Sequence, residues 1–427
     1  MLLAGAVFVG PAWWDRRFAF LMIAWDALVF LAWIFDSRRL PAPNEVEITR
    51  EWPDTVSLDA RGSVILRLTS ECPRAFSAEL SDTTPADWRE SPPVLSLAVA
   101  ARGVAEARYE ILPRQRGSAQ LGTVFVKIQS AFRLAERWMI AKLPQTIRVY
   151  PNLEETRRLT LYLIRSRQIQ MERRLKTQSG KGREFESLRN YRAGDERRDV
   201  CWTATARRGE LVTKTYQHER SQTVTLVVDA GRLMLAQDGA RAKLDHAVSA
   251  ALALGQVAMR SGDRAGLLAY GRKLQARLAP GRGAGHFRAM LESLALLRGE
   301  LSEAAHSLAA DTLLLMQSRR GLVLWLTDLA ETAATPEVIE AAGRVARRHL
   351  LLFVTMSQAM LHGVLAEKPE TAEAMYRYAA ATEMAQRREV LLGRLRRQGA
   401  LVLDLDPADV APAVVNEYLR VKEMGLL

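Results

Sequence analysis

Hydrophobic and polar positions along this chain follow three successive rhythms. The first 41 residues are dominated by an apolar stretch, Phe18 to Phe35, interrupted only by Asp26. A run of eighteen residues reaches the lower limit for a helix that crosses a bilayer. Trp13, Trp14, Trp25 and Trp33 accompany the run, and the first two adjoin Asp15, Arg16 and Arg17, where an interfacial aromatic belt would sit. Residues 1–41 are therefore expected to form a membrane anchor, either one helix or a helical hairpin that includes the apolar start, Met1 to Trp14. Arginine pairs flank the longer run on both sides (Arg16 and Arg17, Arg38 and Arg39), so the local charge rule does not orient it.

After the breaker Leu40-Pro-Ala-Pro-Asn44 the period shortens. Ser63–Thr69, Ala105–Leu112 and Leu121–Ile128 are short β-rich segments separated by turn residues, and the run ending at Pro151 closes the series. Residues 42–151 are expected to be a β-sandwich. From residue 222 to 427 the rhythm lengthens again. Thr223–Asp229, Arg264–Tyr270, Gly321–Asp328, His349–Met356 and Ala400–Asp406 are apolar strands alternating with helical stretches such as Ala240–Ser261. That alternation predicts a doubly wound α/β domain with helices on both faces of a mainly parallel sheet. Ligands in such folds bind outside the carboxyl ends of the strands, which makes Asp229 and Asp328 the first places to look.

Composition sharpens two points. The formal charge is +12, and residues 157–220 carry 17 Lys/Arg against 8 Asp/Glu, so the excess is concentrated in the segment 152–221. Nucleic acid, an anionic membrane surface and an acidic protein face are the partners such charge allows. No helix-turn-helix, zinc-finger or RRM pattern is present, and the basic residues are interleaved with Asp195, Glu196 and Asp199, so nucleic acid is not expected as a partner. An ion-paired platform fits better, serving either to dock a partner or, through forked carboxylate contacts of Arg189, Arg198 and Arg207, to tie this segment to the α/β domain. The two cysteines, Cys72 and Cys201, are too far apart in sequence to suggest a metal knuckle or redox pair. The six histidines make no His-Glu-x-x-His helix, no Gly-x-Ser-x-Gly elbow occurs, and Ser179-Gly-Lys-Gly182 has Leu175 and Gly182 where a phosphate loop needs Gly and Ser/Thr. Hydrolase and nucleotide-binding readings lose their motifs.

The segment from Gly182 to Asp199, with Glu184, Phe185, Leu188, Arg189, Tyr191, Gly194, Asp195, Arg198 and Asp199, followed by Trp202, Ala206, Arg207 and Glu219, resembles the signature of the bacterial domain-of-unknown-function fifty-eight family. The resemblance extends to the order of segments. It implies a membrane-anchored protein with a β-rich region and a von Willebrand factor A-like domain, associated with MoxR-type AAA+ ATPases in the assembly or maturation of protein complexes. On that basis we expect a non-enzymatic adaptor or scaffold in the bacterial inner membrane with its globular part cytoplasmic. The competing readings are a metal-dependent hydrolase and a nucleic-acid-binding membrane protein.

The same resemblance implies a Mg²⁺ site built from Asp-x-Ser-x-Ser, a distant Thr and a distant Asp. Here Asp229 is kept, Gly231 and Leu233 replace both hydroxyl residues, the loop Gly281 to His286 has no Thr, and Thr327-Asp328 keeps the last Asp. Neither Gly nor Leu offers a side-chain oxygen, so no cofactor beyond weak Mg²⁺ is expected. The strand-end carboxylates would instead cap a helix or pair with Arg232. Arg197, Arg198, Arg232 and Asp328 are the expected contacts for a partner.

Overall fold

The computed structural model describes residues 16–53, 55–89, 94–130, 132–152, 184–192, 200–217, 222–329, 335–357 and 359–426. The chain divides into two compact units, Met1–Tyr150 and Pro151–Leu427.

The first unit opens with helix α1 (Arg16–Ser37), which contains the apolar run. From Phe20 to Ser37 it is long and apolar enough to cross a membrane, and Phe20, Ile23, Leu28, Leu31 and Phe35 turn outward along it. Eight strands follow: β1 (Val46–Glu51), β2 (Val56–Ser57), β3 (Gly62–Ser70), β4 (Phe76–Asp82), β5 (Val94–Val99), β6 (Val104–Ile111), β7 (Gly117–Gln129) and β8 (Glu136–Tyr150). They form a three-stranded sheet, β1-β3-β6, and a five-stranded sheet, β2-β8-β7-β4-β5. Alternation decides what each face buries. In β3, Val64, Leu66 and Leu68 point inward, and they share one core with Leu80, Val124, Val126 and Ile128 of the other sheet. One polar tie crosses that core. Arg50 of β1 donates through its Nε to Asp82 of β4 at 2.9 Å, and the Tyr109 hydroxyl of β6 donates to the same carboxylate at 2.6 Å. Burial, followed by this bond to an anion, pushes the Tyr109 phenol well above its usual range.

The last turn of α1 is fastened to the sheets. Asp36 is fully buried, and its Oδ2 accepts from the Ser130 hydroxyl and, at 3.0 Å, from the Leu134 amide. Arg137 donates to the Pro41 carbonyl at 2.5 Å and covers the exit from the helix.

The second unit contains an antiparallel pair, β9 (Glu184–Asn190) and β10 (Val212–Gln217), with the short helix α2 (Trp202–Arg208) between them in sequence. Then comes the alternating region: β11 (Thr223–Asp229), the minimal hairpin β12 (Gln237–Asp238) and β13 (Arg241–Ala242), α3 (Lys243–Arg260), β14 (Arg264–Tyr270), β15 (Leu274–Gly281), α4 (Ala284–Leu296), α5 (His306–Met316), β16 (Leu322–Leu326), α6 (Thr335–Ala346), β17 (Leu350–Met356), α7 (Ala359–Ala366), α8 (Ala372–Arg397), β18 (Leu401–Leu405) and α9 (Val410–Glu423). Six strands make one sheet in the order β15-β14-β11-β16-β17-β18; all neighbours are parallel except β15, which lies antiparallel at the edge.

Both faces of this sheet are covered, which explains why its strands read as continuous apolar runs. Val224, Leu226 and Val228 of β11 pack into a core with Leu244, Ala251 and Leu252 of α3, Met290 of α4 and Val414 and Tyr418 of α9. The intervening Val227 joins Trp325, Phe353, Leu313 of α5, Val338 of α6 and Leu395 of α8 on the other face. The expected order of an apolar N-terminal helix, β-rich sheets and an α/β region is what the structure contains. Along the five parallel strands the chain runs from β11 to β14 on one side and then to β16, β17 and β18 on the other. The direction of winding therefore reverses between β11 and β16.

Candidate functional site

A reversal of winding opens a crevice at the carboxyl ends of the two strands concerned. Asp229 ends β11, and Thr327 and Asp328 directly follow β16, so the two carboxylates noted in the sequence stand on either side of that crevice. Both are buried, at 3% and 4% exposure. Each of their four oxygens already holds a donor from the protein. Asp229 Oδ1 accepts from the Gly231 amide at 2.7 Å, and its Oδ2 accepts from the Thr327 hydroxyl at 2.6 Å. Asp328 Oδ1 accepts from the Leu329 amide at 2.7 Å and from Arg388 at 3.1 Å, while its Oδ2 accepts from the Lys243 ammonium at 2.7 Å.

Lys243 and Arg388 are the residues that motif reasoning missed. Lys243 is the first residue of α3, with a side chain only 4% exposed, and its Nζ also donates to the Met356 carbonyl at the end of β17, at 3.1 Å. A cation at a helix N-terminus works against the helix dipole, and a buried cation loses its hydration. The Asp328 carboxylate is what offsets both. Arg388 reaches in from α8, donating to the Leu329 and Met356 carbonyls and forming a fork on Asp404 of β18 at 2.8 and 3.1 Å. One cation comes from 85 residues before Asp328 and the other from 60 residues after it. Nothing local in the sequence marks either.

Beside this network lies a second one. The indole Nε1 of Trp325 donates to the Tyr270 hydroxyl at 2.7 Å, and that hydroxyl stands 3.0 Å from Nδ1 of His306. Indole can only donate, so the Tyr270 hydroxyl accepts from Trp325, and it donates to His306 Nδ1 in the tautomer that carries the imidazole proton on Nε2. Burial lowers the His306 pKa, more than the neighbouring Asp229, Glu337 and Glu303 raise it. Burial likewise pushes the Asp229 carboxyl above its ordinary value, against the opposing pull of His306, Thr327 and Gly231.

The Mg²⁺ pattern does not fit these residues. Gly231 lacks a hydroxyl and has no room for one: a Cβ there would stand 2.9 Å from the Ala304 Cβ and 3.1 Å from Asp229 Oδ1. Leu233 lies in a 3₁₀ turn, Arg232–Leu235, and has no side-chain oxygen. The loop from Gly281 to His286 runs into α4. Among the described residues no group of three or more His, Cys, Asp or Glu is placed to hold a metal. Lys243, instead, donates to the carboxylate a cation would need.

Two expectations change. Arg232 does not pair with either strand-end carboxylate; it is exposed and bonds Glu303 through Nε at 2.6 Å, because the 3₁₀ turn after Gly231 carries it outward. Asp328 lies beneath the surface with all its bonds internal, so its part is to hold Lys243 and Arg388, leaving Arg232 as the exposed candidate contact.

The signature is placed in part. Glu184, Phe185, Leu188 and Arg189 lie on β9, paired with Gln217, Tyr216, Lys214 and Thr213 of β10. The Tyr191 amide continues the ladder to the Leu211 carbonyl, and Trp202, Ala206 and Arg207 fall on α2, with Trp202 exposed. Gly182, Gly194, Asp195, Arg197, Arg198, Asp199 and Glu219 lie outside the described residues, and with them Arg198 and the carboxylates of the expected ion-paired platform.

A family model described as "Protein of unknown function DUF58" matches residues 187–373, from within β9 to the start of α8, and supports that family. No curated protein matches the chain. Among solved structures, the β-glucosidase from Listeria innocua in complex with gluconolactone aligns at 12% identity and a TM-score of 0.14, covering 25% of this chain and 16% of its own. The FixG-related protein from Vibrio parahaemolyticus aligns at 7% identity and a TM-score of 0.16, covering 24% of this chain and 96% of its own. This chain spans only 16% of the β-glucosidase, and similarity at these scores carries no argument about function.

Proposed function

We propose that the chain is a membrane-anchored, non-enzymatic adaptor that works with a MoxR-type AAA+ ATPase in the assembly or maturation of protein complexes, and that its α/β region is a von Willebrand factor A-like domain. The partner class rests on the resemblance of the signature to that family, and the family match over residues 187–373 supports the family itself. The von Willebrand A-like reading is supported by the doubly wound sheet with Asp229 and Asp328 flanking its reversal of winding. One observation favours the adaptor reading over a hydrolase: every oxygen of the two strand-end carboxylates holds a protein donor, and Asp328 is neutralised by Lys243 and Arg388, so both carboxylates are engaged in bracing the crevice. A rigid sheet ending in such a braced cluster, with Arg232 exposed at its rim, suits a docking face. Function remains a property of the site and not of the fold.

The test is capture of the full-length chain from membranes with and without ATP, followed by identification of the ATPase that accompanies it. Arg232→Glu should weaken capture several-fold without lowering Tm. The same holds for the pair Arg197→Glu and Arg198→Glu if the basic signature contributes to the interface. Unchanged capture by folded variants removes those residues from the docking face. Turnover abolished by Asp229→Ala would favour a hydrolase, and steeply salt-dependent DNA or RNA binding would favour a nucleic-acid partner.

A further inference from the structure

We infer that the Lys243 ammonium is a resident cation standing where a divalent ion would otherwise sit at the crevice between β11 and β16, so that this face is assembled by the chain's own charges and is independent of metal. The inference concerns what neutralises Asp328 and does not rest on the ATPase reading; losing that partner would leave it intact.

Three observations converge on Lys243. First, its Nζ is bound by one carboxylate oxygen and one main-chain carbonyl, from Asp328 at 2.7 Å and Met356 at 3.1 Å, and oxygens of these two kinds are the ligands that hard divalent ions take. Mg²⁺ coordinates oxygen at about 2.0–2.1 Å in a near-octahedral shell, so the ion and the ammonium cannot share Asp328 Oδ2. Second, Lys243 is held there at a cost. It lies at the positive end of an 18-residue helix and is nearly without solvent, two conditions that a lysine serving only solubility would avoid. Third, the other positions of the pattern add no free side-chain oxygen, so only Asp328 with main-chain and water oxygens would hold an ion once Lys243 were removed. Gly231 stands against Ala304 with no space for a side chain, Leu233 carries no oxygen, and Thr327 spends its hydroxyl on Asp229. Arg388 completes the substitution by bracing the other Asp328 oxygen and tying it to Asp404. A tethered ammonium cannot be lost to a chelator, so the face persists through changes in free divalent ion that would open and close a metal site.

The experiment uses the full-length chain in detergent, with MnCl₂ and MgCl₂ as probes and NaCl of equal ionic strength as control. Wild-type Tm should not respond to either ion or to EDTA. Lys243→Ser, which removes the ammonium and leaves a hydroxyl and a space, should melt lower and should recover several degrees with Mn²⁺ or Mg²⁺ but not with NaCl. Adding Asp328→Asn should abolish that recovery. A folded Lys243→Ser that ignores both ions overturns the inference, as does a wild-type response that Asp328→Asn removes. Should Lys243→Ser not fold, wild type alone decides. Mn²⁺ entering the crevice would broaden the methyl resonance of Met356, whose carbonyl Lys243 holds, and such broadening sinks the proposal. A sharp Met356 signal under Mn²⁺ that broadens methyls beside exposed carboxylates supports it.

Discussion

Lys243 and Asp328 form a buried pair in a nearly dry site: losing Asp328 strands the Lys243 ammonium, and losing Lys243 leaves Asp328 with Arg388 as its one cation. Breaking a buried pair from one side costs about 3–5 kcal/mol, whereas replacing both partners with apolar groups can be close to neutral. Lys243→Met is therefore expected to lower the denaturant midpoint strongly, and Lys243→Met with Asp328→Leu to recover part of the loss; additive losses in equilibrium unfolding would show that the two charges are not coupled. Gly231 makes a second case. Restoring a hydroxyl with Gly231→Ser should destabilise by about 1–3 kcal/mol through overpacking against Ala304, and should not create Mg²⁺ binding. Calorimetric Mg²⁺ binding by that variant would contradict the packing argument.

His306 supplies a pH dependence with a definite sign. Its folded pKa is depressed below the ordinary 6.5 by burial, so the unfolded chain binds the proton more readily. The stability it contributes is present above 6.5 and is lost as pH falls toward the folded value. The midpoint of urea unfolding should decline over that acid window, and His306→Gln should flatten the decline. An identical slope in wild type and variant would remove His306 as its source.

At the scale of elements, α1 is apolar along its length but fixed at its end. Deleting residues through Phe35 removes the apolar face while sparing the sheets, and should shift the chain from the membrane fraction to the soluble fraction on sedimentation. The joint with the sheets is polar: Asp36 accepts from Ser130 and Leu134. Asp36→Ala and Ser130→Ala should each loosen it, and because both remove the same bond, their effects on Tm should be less than additive. Element boundaries followed the hydrophobic pattern closely where burial is two-sided. Thr223–Asp229 and Arg264–Tyr270 were legible to the residue, since an apolar run flanked by turn residues leaves little choice. The strand expected at Leu121–Ile128 is longer, Gly117–Gln129, because its outer part pairs with β8 through alternating residues that are only half apolar. Pairing, not hydrophobicity, sets that length.

For the whole molecule, the proposed cytoplasmic placement of the globular part predicts that a reporter fused after Leu427 is active as a cytoplasmic reporter. Periplasmic alkaline phosphatase activity there would reverse the orientation. The sequence by itself determined the order of rhythms: an apolar helix, alternating strands and then buried strands between helices, because each is a local period that one stretch of chain must satisfy. It also determined that carboxylates end two of the parallel strands and that the hydroxyls of the Mg²⁺ pattern are absent. Only the tertiary structure decided what those carboxylates meet. The winding of the sheet brings the first residue of α3 and the middle of α8 to one crevice, so Lys243 and Arg388 converge on Asp328 across 85 and 60 residues. The same geometry turns Arg232 away to Glu303, although it is the nearer arginine in sequence to Asp229. A lysine at a helix start and an arginine inside a charged helix look like ordinary solvated residues until the fold removes their water, and the physical reason they became part of the site is that a buried charge must be met by the carboxylates and carbonyls the fold brings to it.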